Sequence, residues 1–240
     1  MEKDLKNKIA LVTGANRGLG FAISEKLATM GAKVIMVCRN KESGEEAVKK
    51  LSERNMDVVL KTADVGKTED IDKLHDEISK EYDKIDILVN NAGMNNESPE
   101  TTIETIDLDV LNKIMQVNFL GTLVMCRKFA HMVKKSDDGR IINFGSGLGQ
   151  LTPARMGPFP SYSISKNAVN MVTKILADNL KDTNVKVVSL DPGWVKTDMG
   201  GPDAMLEIPE GIDTPVWLAT ADPSEIKSGY FYKERKIIDW

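Results

Sequence analysis

Apolar residues recur along the chain in two alternating patterns. Short runs rich in β-branched residues are almost continuously apolar, as expected of strands buried on both faces of a parallel sheet. Between these runs lie longer segments in which apolar residues recur at helical spacing and polar residues face outward. The pattern predicts strands at 9–13, 33–38, 58–62, 85–90, 140–144 and 186–190, and helices near 19–30, 42–54, 68–82, 108–135 and 162–181.

This alternation predicts an α/β fold. We expect residues 1–240 to form a single doubly wound Rossmann-type domain, with a parallel sheet of about seven strands and helices on both faces. Ligands of such folds bind beyond the carboxyl ends of the strands. Two segments that follow predicted strands, 147–160 and 198–210, lack periodicity and could wall a site. We interpret 193–210 as a substrate-side loop.

Composition narrows the class of partner. The net charge of −4 and pI near 5.4 argue against nucleic acid or an anionic membrane, so a small-molecule substrate is expected. Cys38 and Cys126 lie in apolar stretches, which favours reduced structural thiols over a disulfide framework, and two histidines are too few to indicate a metal cluster. A charged start and the lack of a long apolar run predict a cytoplasmic protein without a membrane span or signal peptide.

A glycine-rich run follows the first predicted strand. It reads Thr13-Gly-Ala-Asn-Arg-Gly-Leu-Gly20 and leads directly into a helix. Glycines allow a tight turn, and the amides at a helix N-terminus favour a pyrophosphate. The spacing and its place in the first βαβ unit predict nucleotide binding. The alternative is a glycine-rich turn with no ligand.

The residues around this run bear on the choice of nucleotide. NAD-binding units usually place an acidic residue about 20 positions beyond the glycines, to hold the ribose 2′-hydroxyl. Here Cys38 and Arg39 occupy that place, and Arg17 lies within the glycine run. Two guanidinium groups would suit a 2′-phosphate, which predicts NADP(H) over NAD(H). The alternative is two solvated surface charges.

Tyr162 and Lys166 are four residues apart at the start of an apolar-periodic segment. On a helix this spacing places a phenol and an ammonium on one face. A nearby cation favours the phenolate and lowers the pKa of the phenol. The pair is therefore a candidate for proton transfer, while the alternative is a core or surface tyrosine followed by a solvated lysine.

Several motifs together resemble the short-chain dehydrogenase/reductase family. They occur in the order and approximate spacing of that family over essentially the whole chain. The motifs are Thr13-Gly-x-x-x-Gly-x-Gly20, Asn90-Asn-Ala-Gly93, Asn118, Ser146, Tyr162-x-x-x-Lys166 and Pro192-Gly193. Two further stretches, Pro192 to Met199 and Pro209 to Trp240, resemble the carbonyl reductase branch.

The resemblance implies a role for each of four catalytic residues. Tyr162 would be the general acid or base, and Lys166 would hold the ribose hydroxyls and lower the tyrosine pKa. Ser146 would orient the substrate carbonyl, and Asn118 would support a proton relay through water and Lys166. The alternatives are a loop hydroxyl for Ser146 and a satisfied polar group within a helix for Asn118.

The resemblance also implies a set of residues that bind NADP(H). Asp64 would accept a hydrogen bond from the adenine amino group, although an aspartate at this place could also be a turn residue. The glycine-run residues are Gly14, Asn16, Arg17, Gly18, Leu19 and Gly20. The remaining residues are Arg39, Asp64, Val65, Asn91, Ala92, Gly93, Tyr162, Lys166, Pro192, Gly193, Val195 and Thr197.

The spacing between Ser146 and Tyr162 exceeds the commonest family spacing by a few residues. The extra residues fall in 153–160, where carbonyl reductases that are monomers carry much longer insertions over the dimer-forming helix face. This short insertion leaves monomer and homo-oligomer both open.

The substrate pocket is expected to be apolar. Its candidate residues are Met94, Leu148, Met156, Phe159, Trp194, Met199, Met205 and Leu206, although some of them could be ordinary core residues. An apolar pocket with few polar anchors favours an aldehyde, ketone or quinone. Two other readings stay open: an alcohol dehydrogenase or 3-oxoacyl thioester reductase with the same fold, and an NADP(H)-sensing regulatory protein.

Overall fold

The structure is a computed structural model that describes residues 4–152 and 158–240. Within these ranges eight strands form one sheet in the order β3-β2-β1-β4-β5-β6-β7-β8. The strands are β1 Ile9–Thr13, β2 Lys33–Cys38, β3 Val58–Thr62, β4 Ile87–Asn90, β5 Gly139–Phe144, β6 Val185–Leu190, β7 Phe231–Lys233 and β8 Lys236–Ile238. The helices are α1 Gly18–Thr29, α2 Lys41–Ser52, α3 Thr68–Glu81, α4 Leu108–Ile114, α5 Thr122–Val133, α6 Pro160–Asn179 and α7 Ile208–Thr220.

The sheet confirms the predicted fold class. Strands β1 to β7 are parallel, and β8 pairs antiparallel with β7. The sheet therefore has eight strands and not about seven, because the two short C-terminal strands of three residues each carry too little pattern to predict. Strands β2 and β3 lie on one side of β1, and β4 to β8 lie on the other. The switch point of the sheet is therefore between β1 and β4. This is where ligands bind in open α/β sheets.

The core lies on both faces of the sheet. Ala10 and Val12 pack toward α1, α2 and α7, while Leu11 between them packs toward α3, α5 and α6. Each fully buried Leu, Ile or Val side chain stabilises the fold by roughly 1.5–3 kcal/mol relative to exposure. The sheet is thus a rigid base for the loops at the carboxyl ends of its strands.

The helix predicted near 108–135 contains an irregular turn. It consists of α4, a π-helical turn Met115–Gly121, and α5. Gly121 allows a close approach to the β3–α3 loop, since a Cβ there would lie 2.7 Å from the Val65 carbonyl oxygen. Single π turns inside helices are frequent at functional sites, and this one contains Asn118.

The segment after β6 differs in part from the predicted loop. Its last part is helical, because α7 begins at Ile208 behind a capping box formed by Glu207 and Glu210. The sequence pattern did not predict α7, because Pro215 lies inside it and proline, which removes a helical hydrogen bond, argues against a helix. The start of the segment is tied to its end by a bridge between Val195 and Leu206. None of the helices in the described ranges is long and apolar enough to cross a membrane.

Candidate active site

A cleft of about 480 Å³ opens at the carboxyl ends of the parallel strands. Most of the predicted site residues lie on its walls. They are Gly14, Asn16, Arg17, Gly18, Leu19, Gly20, Arg39, Asp64, Val65, Asn91, Ala92, Gly93, Tyr162, Lys166, Pro192 and Thr197. Val117, Phe144 and Gly145 also line the cleft and were not predicted, whereas Lys196 and Asp198 belong to the loop 193–210 that was interpreted as substrate-side.

Four predicted residues are not on these walls. Asn118 is hydrogen-bonded to Met94 and Ser146 to Tyr162, and both of these partners line the cleft. The side chain of Val195 is buried against Gly211 of α7. Gly193 has a φ of +80°, and a Cβ there would lie 2.5 Å from Leu206 Cδ1. Gly193 and Val195 therefore shape the loop from its packed side.

The glycine loop is folded tightly upon itself. Gly14 and Gly18 have φ values of +65° and +55°, a region that favours glycine. A Cβ at Gly20 would lie only 2.3 Å from the Gly14 carbonyl oxygen, so the close approach requires glycine. The loop ends at α1, whose N-cap residue Arg17 makes no side-chain cap bond and whose first turn contains no acidic residue. Such a helix start is suited to an anion.

The end of β4 holds this loop in place. Asn91 Nδ2 donates to the carbonyl oxygens of Thr13 at 2.8 Å and Gly14 at 3.2 Å. The Thr13 hydroxyl accepts from the backbone amides of Asn91 at 3.1 Å and Ala92 at 3.0 Å. The Asn91 side chain thus braces the glycine loop.

The two arginines that line the cleft have different surroundings. Arg39 is exposed directly after the buried Cys38 at the end of β2. Arg17 Nη1 lies 2.6 Å from Asp198 Oδ2, and both side chains are more than two-thirds exposed. The glycine loop and the loop after β6 therefore meet in an ion pair across the cleft.

Asp64 closes a turn and also lines the cleft. Its Oδ1 accepts from the Gly66 amide at 3.0 Å, which is the turn geometry left open by the sequence. Both Asp64 and the adjacent Val65 lie on the cleft wall.

Tyr162 and Lys166 lie one turn apart at the start of α6, as the spacing predicts. Lys166 is buried, and its Nζ donates to the Phe144 carbonyl oxygen at 2.7 Å and lies 5.5 Å from the centre of the Tyr162 ring. Tyr162 also forms a hydrogen bond with Ser146, which precedes a short 3₁₀ turn after β5. A Cβ at Gly93 would lie 3.5 Å from Lys166 Nζ, so the end of β4 approaches the ammonium closely.

Burial dominates the titration of both side chains. Burial raises the pKa of Tyr162 to about 12, a hydrogen bond with Ser146 lowers it, and the negative charge of Asp191 raises it. Burial lowers the pKa of Lys166 to about 8, while Asp191 raises it. The pKa of Tyr162 is thus raised, whereas the neighbouring cation was expected to lower it, because burial is the largest influence on this pKa. The phenol therefore retains its proton at neutral pH.

Asn118 connects α6, the helix that carries Tyr162, to the segment after β4. Its Oδ1 accepts from the Met94 amide at 2.8 Å, and its Nδ2 donates to the Met94 carbonyl oxygen at 3.0 Å. The same Nδ2 donates to Ser165 Oγ at 3.0 Å, and Ser165 Oγ donates to the Tyr162 carbonyl oxygen at 2.7 Å. Asn118 is thus a satisfied polar group in a helix, the alternative noted above, and it also lies in contact with the site.

Sequence reasoning missed two acidic residues at this site. Asp191 is buried, accepts from the Gly193 amide at 3.1 Å and pairs with Lys233 Nζ at 3.0 Å. Glu97 is buried and accepts hydrogen bonds at the start of α6. Asp191 adjoins the Pro192-Gly193 motif, which is a usable signal, whereas nothing local in the sequence marks Glu97.

The predicted apolar pocket is assembled only in part. Met94 and Met199 line the cleft, while Trp194 and Met205 are exposed, and Trp194 Nε1 donates to the Gly200 carbonyl oxygen at 2.8 Å. Leu148, Phe159 and Leu206 are partly buried. Met156 and most of the insertion at 153–160 lie outside the described residues.

The chain matches a family model described as short chain dehydrogenase over residues 8–205. It is 30% identical to mouse carbonyl reductase [NADPH] 1, with 97% of this chain and 98% of that protein aligned. It is 32% identical to short-chain dehydrogenase anuI of Penicillium roqueforti, over 97% and 96% of the two chains.

Solved structures of similar fold cover nearly the whole chain. The NADPH-bound carbonyl reductase from chicken fatty liver superposes with a TM-score of 0.86 at 26% identity, covering 98% of this chain and all of that one. A short chain dehydrogenase from Burkholderia cenocepacia in complex with NADP gives a TM-score of 0.84 at 25% identity, covering 95% and 96%. The family model spans most of the chain, and the predicted family is confirmed: this protein belongs to the short-chain dehydrogenase family.

Proposed function

We propose that this protein is an NADP(H)-dependent oxidoreductase that reduces a carbonyl group to an alcohol. The observation that carries the proposal is the Tyr162 phenol, hydrogen-bonded with Ser146 and adjacent to Lys166 in the cleft. The similarity to carbonyl reductases that use or bind NADPH supports both the cofactor and the reaction.

The residues of the cleft fit a dinucleotide. Gly20 lets the glycine loop pack closely on itself, and the loop leads into the start of α1, where no side chain caps the first turn. The ammonium of Lys166 has three donors, of which one is used by Phe144, so two remain for ribose hydroxyls. When bound, the cofactor supplies the hydride that adds to the carbonyl carbon.

The preference for NADP(H) over NAD(H) rests on Arg17 and Arg39. Both guanidinium groups line the cleft, and the position after β2 that holds an acidic residue in NAD-binding units carries Arg39 after Cys38. A 2′-phosphate would compete with Asp198 for Arg17 and would find Arg39 exposed. Guanidinium groups bind phosphate through paired hydrogen bonds.

The protein supplies the proton and the orientation of the substrate. Tyr162, whose pKa is raised to about 12, donates its proton to the carbonyl oxygen as charge develops there. Ser146 Oγ accepts from the Leu148 amide at 3.2 Å, and in the complex the substrate carbonyl oxygen would replace Tyr162 as the acceptor of the Ser146 proton. Two donors on one oxygen fix the carbonyl and stabilise its developing negative charge.

Lys166 and Asn118 support the proton transfer through their effects on Tyr162. A charged Lys166 favours the phenolate that Tyr162 becomes after it has donated its proton. Asn118 holds Met94, which lines the cleft, and through Ser165 it holds the backbone of Tyr162. In this proposal both residues keep the phenol at the reacting oxygen.

Two other functions remain to be distinguished. The same site could oxidise an alcohol or reduce a 3-oxoacyl thioester, and the fold could serve an NADP(H)-sensing regulator. Met94 and Met199, which line the cleft, favour an apolar aldehyde, ketone or quinone over a long charged carrier. The sensor is disfavoured because it needs no proton donor.

A screen of carbonyl compounds with the purified full chain tests the proposal. NADPH consumption is followed by absorbance, and Tyr162→Phe should lower kcat by about 10²- to 10⁴-fold while the Kd for NADPH stays within about twofold. Lys166→Met should weaken NADPH binding as well as turnover, because the ammonium would hold the ribose.

Tyr230→Phe is the matched control, since Tyr230 is 40% exposed and packs against Lys174 instead of the site residues. Tight NADPH binding without turnover of any aldehyde, ketone, quinone or thioester would point to the sensor. Equal kcat/KM with NADPH and NADH would refute the cofactor preference.

A further inference from the structure

The helix that carries Tyr162 begins without a cap of its own. The N-cap residue is Phe159, whose side chain has no acceptor and whose φ and ψ of 70° and 62° are left-handed. The next residue, Pro160, has no N–H group. The amides of Ser161 and Tyr162 therefore need an acceptor from elsewhere, because helix termini leave their first N–H groups without intrahelical partners.

Glu97 provides that acceptor from a segment 64 positions earlier in the chain. Its Oε1 and Oε2 lie 3.1 and 2.9 Å from the Ser161 amide, and Oε2 lies 3.3 Å from the Tyr162 amide. Oε1 also accepts from Ser161 Oγ at 2.6 Å. The Glu97 side chain is only 9% exposed, so these bonds form largely out of water.

The segment after β4 is joined to α6 at a second point. Met94 is held by both side-chain atoms of Asn118, and Asn118 reaches the Tyr162 carbonyl oxygen through Ser165. The backbone of Tyr162 is thus fixed at its amide by Glu97 and at its carbonyl by Ser165. The segment after β4 is therefore connected by hydrogen bonds to both sides of the Tyr162 backbone.

We propose that Glu97, in the cleft-lining segment after β4, is a positioning residue that caps α6 and thereby holds the Tyr162 phenol at the reacting oxygen. The proposal rests on the proposed function, since it assigns Glu97 to the same site. Glu97 acts through the backbone of Tyr162 and takes no part in the proton transfer.

A carboxylate suits this position better than any neutral side chain. It offers two acceptor oxygens to three donors, and its negative charge lies at the positive end of the helix dipole. Glutamine retains one acceptor oxygen, but its NH₂ group would face an N–H group. Alanine retains neither, and a buried amide left without a partner costs roughly 1–3 kcal/mol.

Steady-state kinetics of the full chain with NADPH and a carbonyl substrate tests this assignment. Glu97→Ala should lower kcat by about 100-fold, because a misplacement of about 1 Å in a reacting group costs that much. The KM for NADPH should stay within about twofold, because the other residues proposed to hold the cofactor keep their places. Glu97→Gln should lie between wild type and Glu97→Ala.

Hydrogen exchange gives a readout that does not depend on turnover. In the NADPH complex, Glu97→Ala should speed exchange of the amides at 161–163 while the second half of α6 keeps its protection. Glu100→Ala is the matched control, because Glu100 is an exposed acid in the same segment and its change should leave exchange and kcat unaltered.

If Glu97→Ala fails to fold, Ser161→Ala and Glu97→Gln keep the proposal falsifiable. Each should lower kcat, and the Ser161→Ala/Glu97→Gln double variant should lower it by less than the product of the two single effects, because both changes alter the same contact between Ser161 and Glu97. Unchanged kcat in a folded Glu97→Ala with faster exchange at 161–163 would show a purely structural cap and overturn the proposal. A wild-type chain that binds NADPH but reduces no carbonyl would instead refute the proposed function.

Discussion

The carboxylate of Asp191 acts on both titratable side chains proposed to take part in catalysis. Its negative charge raises the pKa of Tyr162 and the pKa of Lys166. Lys233 pairs with it at 3.0 Å, and the Gly193 amide donates to it at 3.1 Å, so the charge is held in one place next to the loop after β6. Asp191 therefore favours the charged form of Lys166, which burial disfavours.

Replacement of Asp191 should change the pH dependence of reduction. Reduction needs a protonated Tyr162 and a charged Lys166, so the rate falls as pH rises through the lower pKa, that of Lys166 at about 8. Asp191→Asn keeps an acceptor for Gly193 and removes the charge, which lowers the pKa of Lys166. The alkaline limb of kcat against pH should move to lower pH by about half to one unit.

The control for this shift is Asp182→Asn, which removes one negative charge from an exposed position between α6 and β6. Its pH profile should match that of the wild type. A shift of the Asp191→Asn limb to higher pH would contradict the sign of the electrostatic argument.

Sequence reasoning at this scale succeeds where a residue belongs to a local pattern. The glycine run and the Tyr162 and Lys166 pair were recognisable because turn and helix geometry fix their spacing. Glu97 and Asp191 were missed because their bonds to Ser161 and Lys233 span 64 and 42 positions. The pKa of Tyr162 was predicted in the wrong direction, since burial depends on the whole fold.

The loop between β6 and α7 contributes several residues to the wall of the cleft, from Pro192 to Met199. It is held internally by the Val195 and Leu206 bridge and by the bond from Trp194 to Gly200. Its outward contact is the ion pair of Asp198 with Arg17 in the glycine loop. An anionic ligand at Arg17 must compete with this carboxylate.

Removal of that competition should strengthen NADPH binding. Exposed ion pairs are worth about 0.2–1 kcal/mol, so Asp198→Ala should lower the Kd for NADPH by about 1.4- to fivefold. Titration calorimetry at low and high salt measures the Kd for NADPH. The gain in affinity should be smaller at high salt, because exposed charges are screened.

Asp203→Ala is the matched control, because Asp203 is an exposed acid of the same loop. It should leave the Kd unchanged. Weaker NADPH binding by Asp198→Ala would show that Asp198 organises the loop for the cofactor and does not compete with it.

Elements with a strong period were predictable and irregular ones were not. The six predicted strands and five predicted helices are present, with ends shifted by a few residues. The π turn around Asn118 was missed because its apolar pattern continues that of the flanking helices, and α7 was missed because Pro209 and Pro215 interrupt its pattern. Tertiary contacts decide both features, and a single sequence does not record them.

At the scale of the whole molecule, the cleft joins the two halves of the sheet. Its walls come from the loops after β1, β2 and β3 on one side of the switch point and from those after β4, β5 and β6 on the other. A dinucleotide bound there would contact both halves at once. A ligand that binds only the folded chain stabilises it by mass action.

NADPH should therefore raise the melting temperature more than NADH does. At 100 times its Kd, NADPH adds about 2.7 kcal/mol, which for a chain of this size corresponds to a shift of roughly 5–10 °C in Tm. The Arg39→Leu variant should lose most of the NADPH advantage, because a 2′-phosphate would have one guanidinium fewer, whereas Arg127→Leu at an exposed position of α5 should keep it. Scanning calorimetry at equal concentrations of the two nucleotides measures the shift. A Tm shift of equal size with both nucleotides in the wild type would contradict a 2′-phosphate site at Arg39.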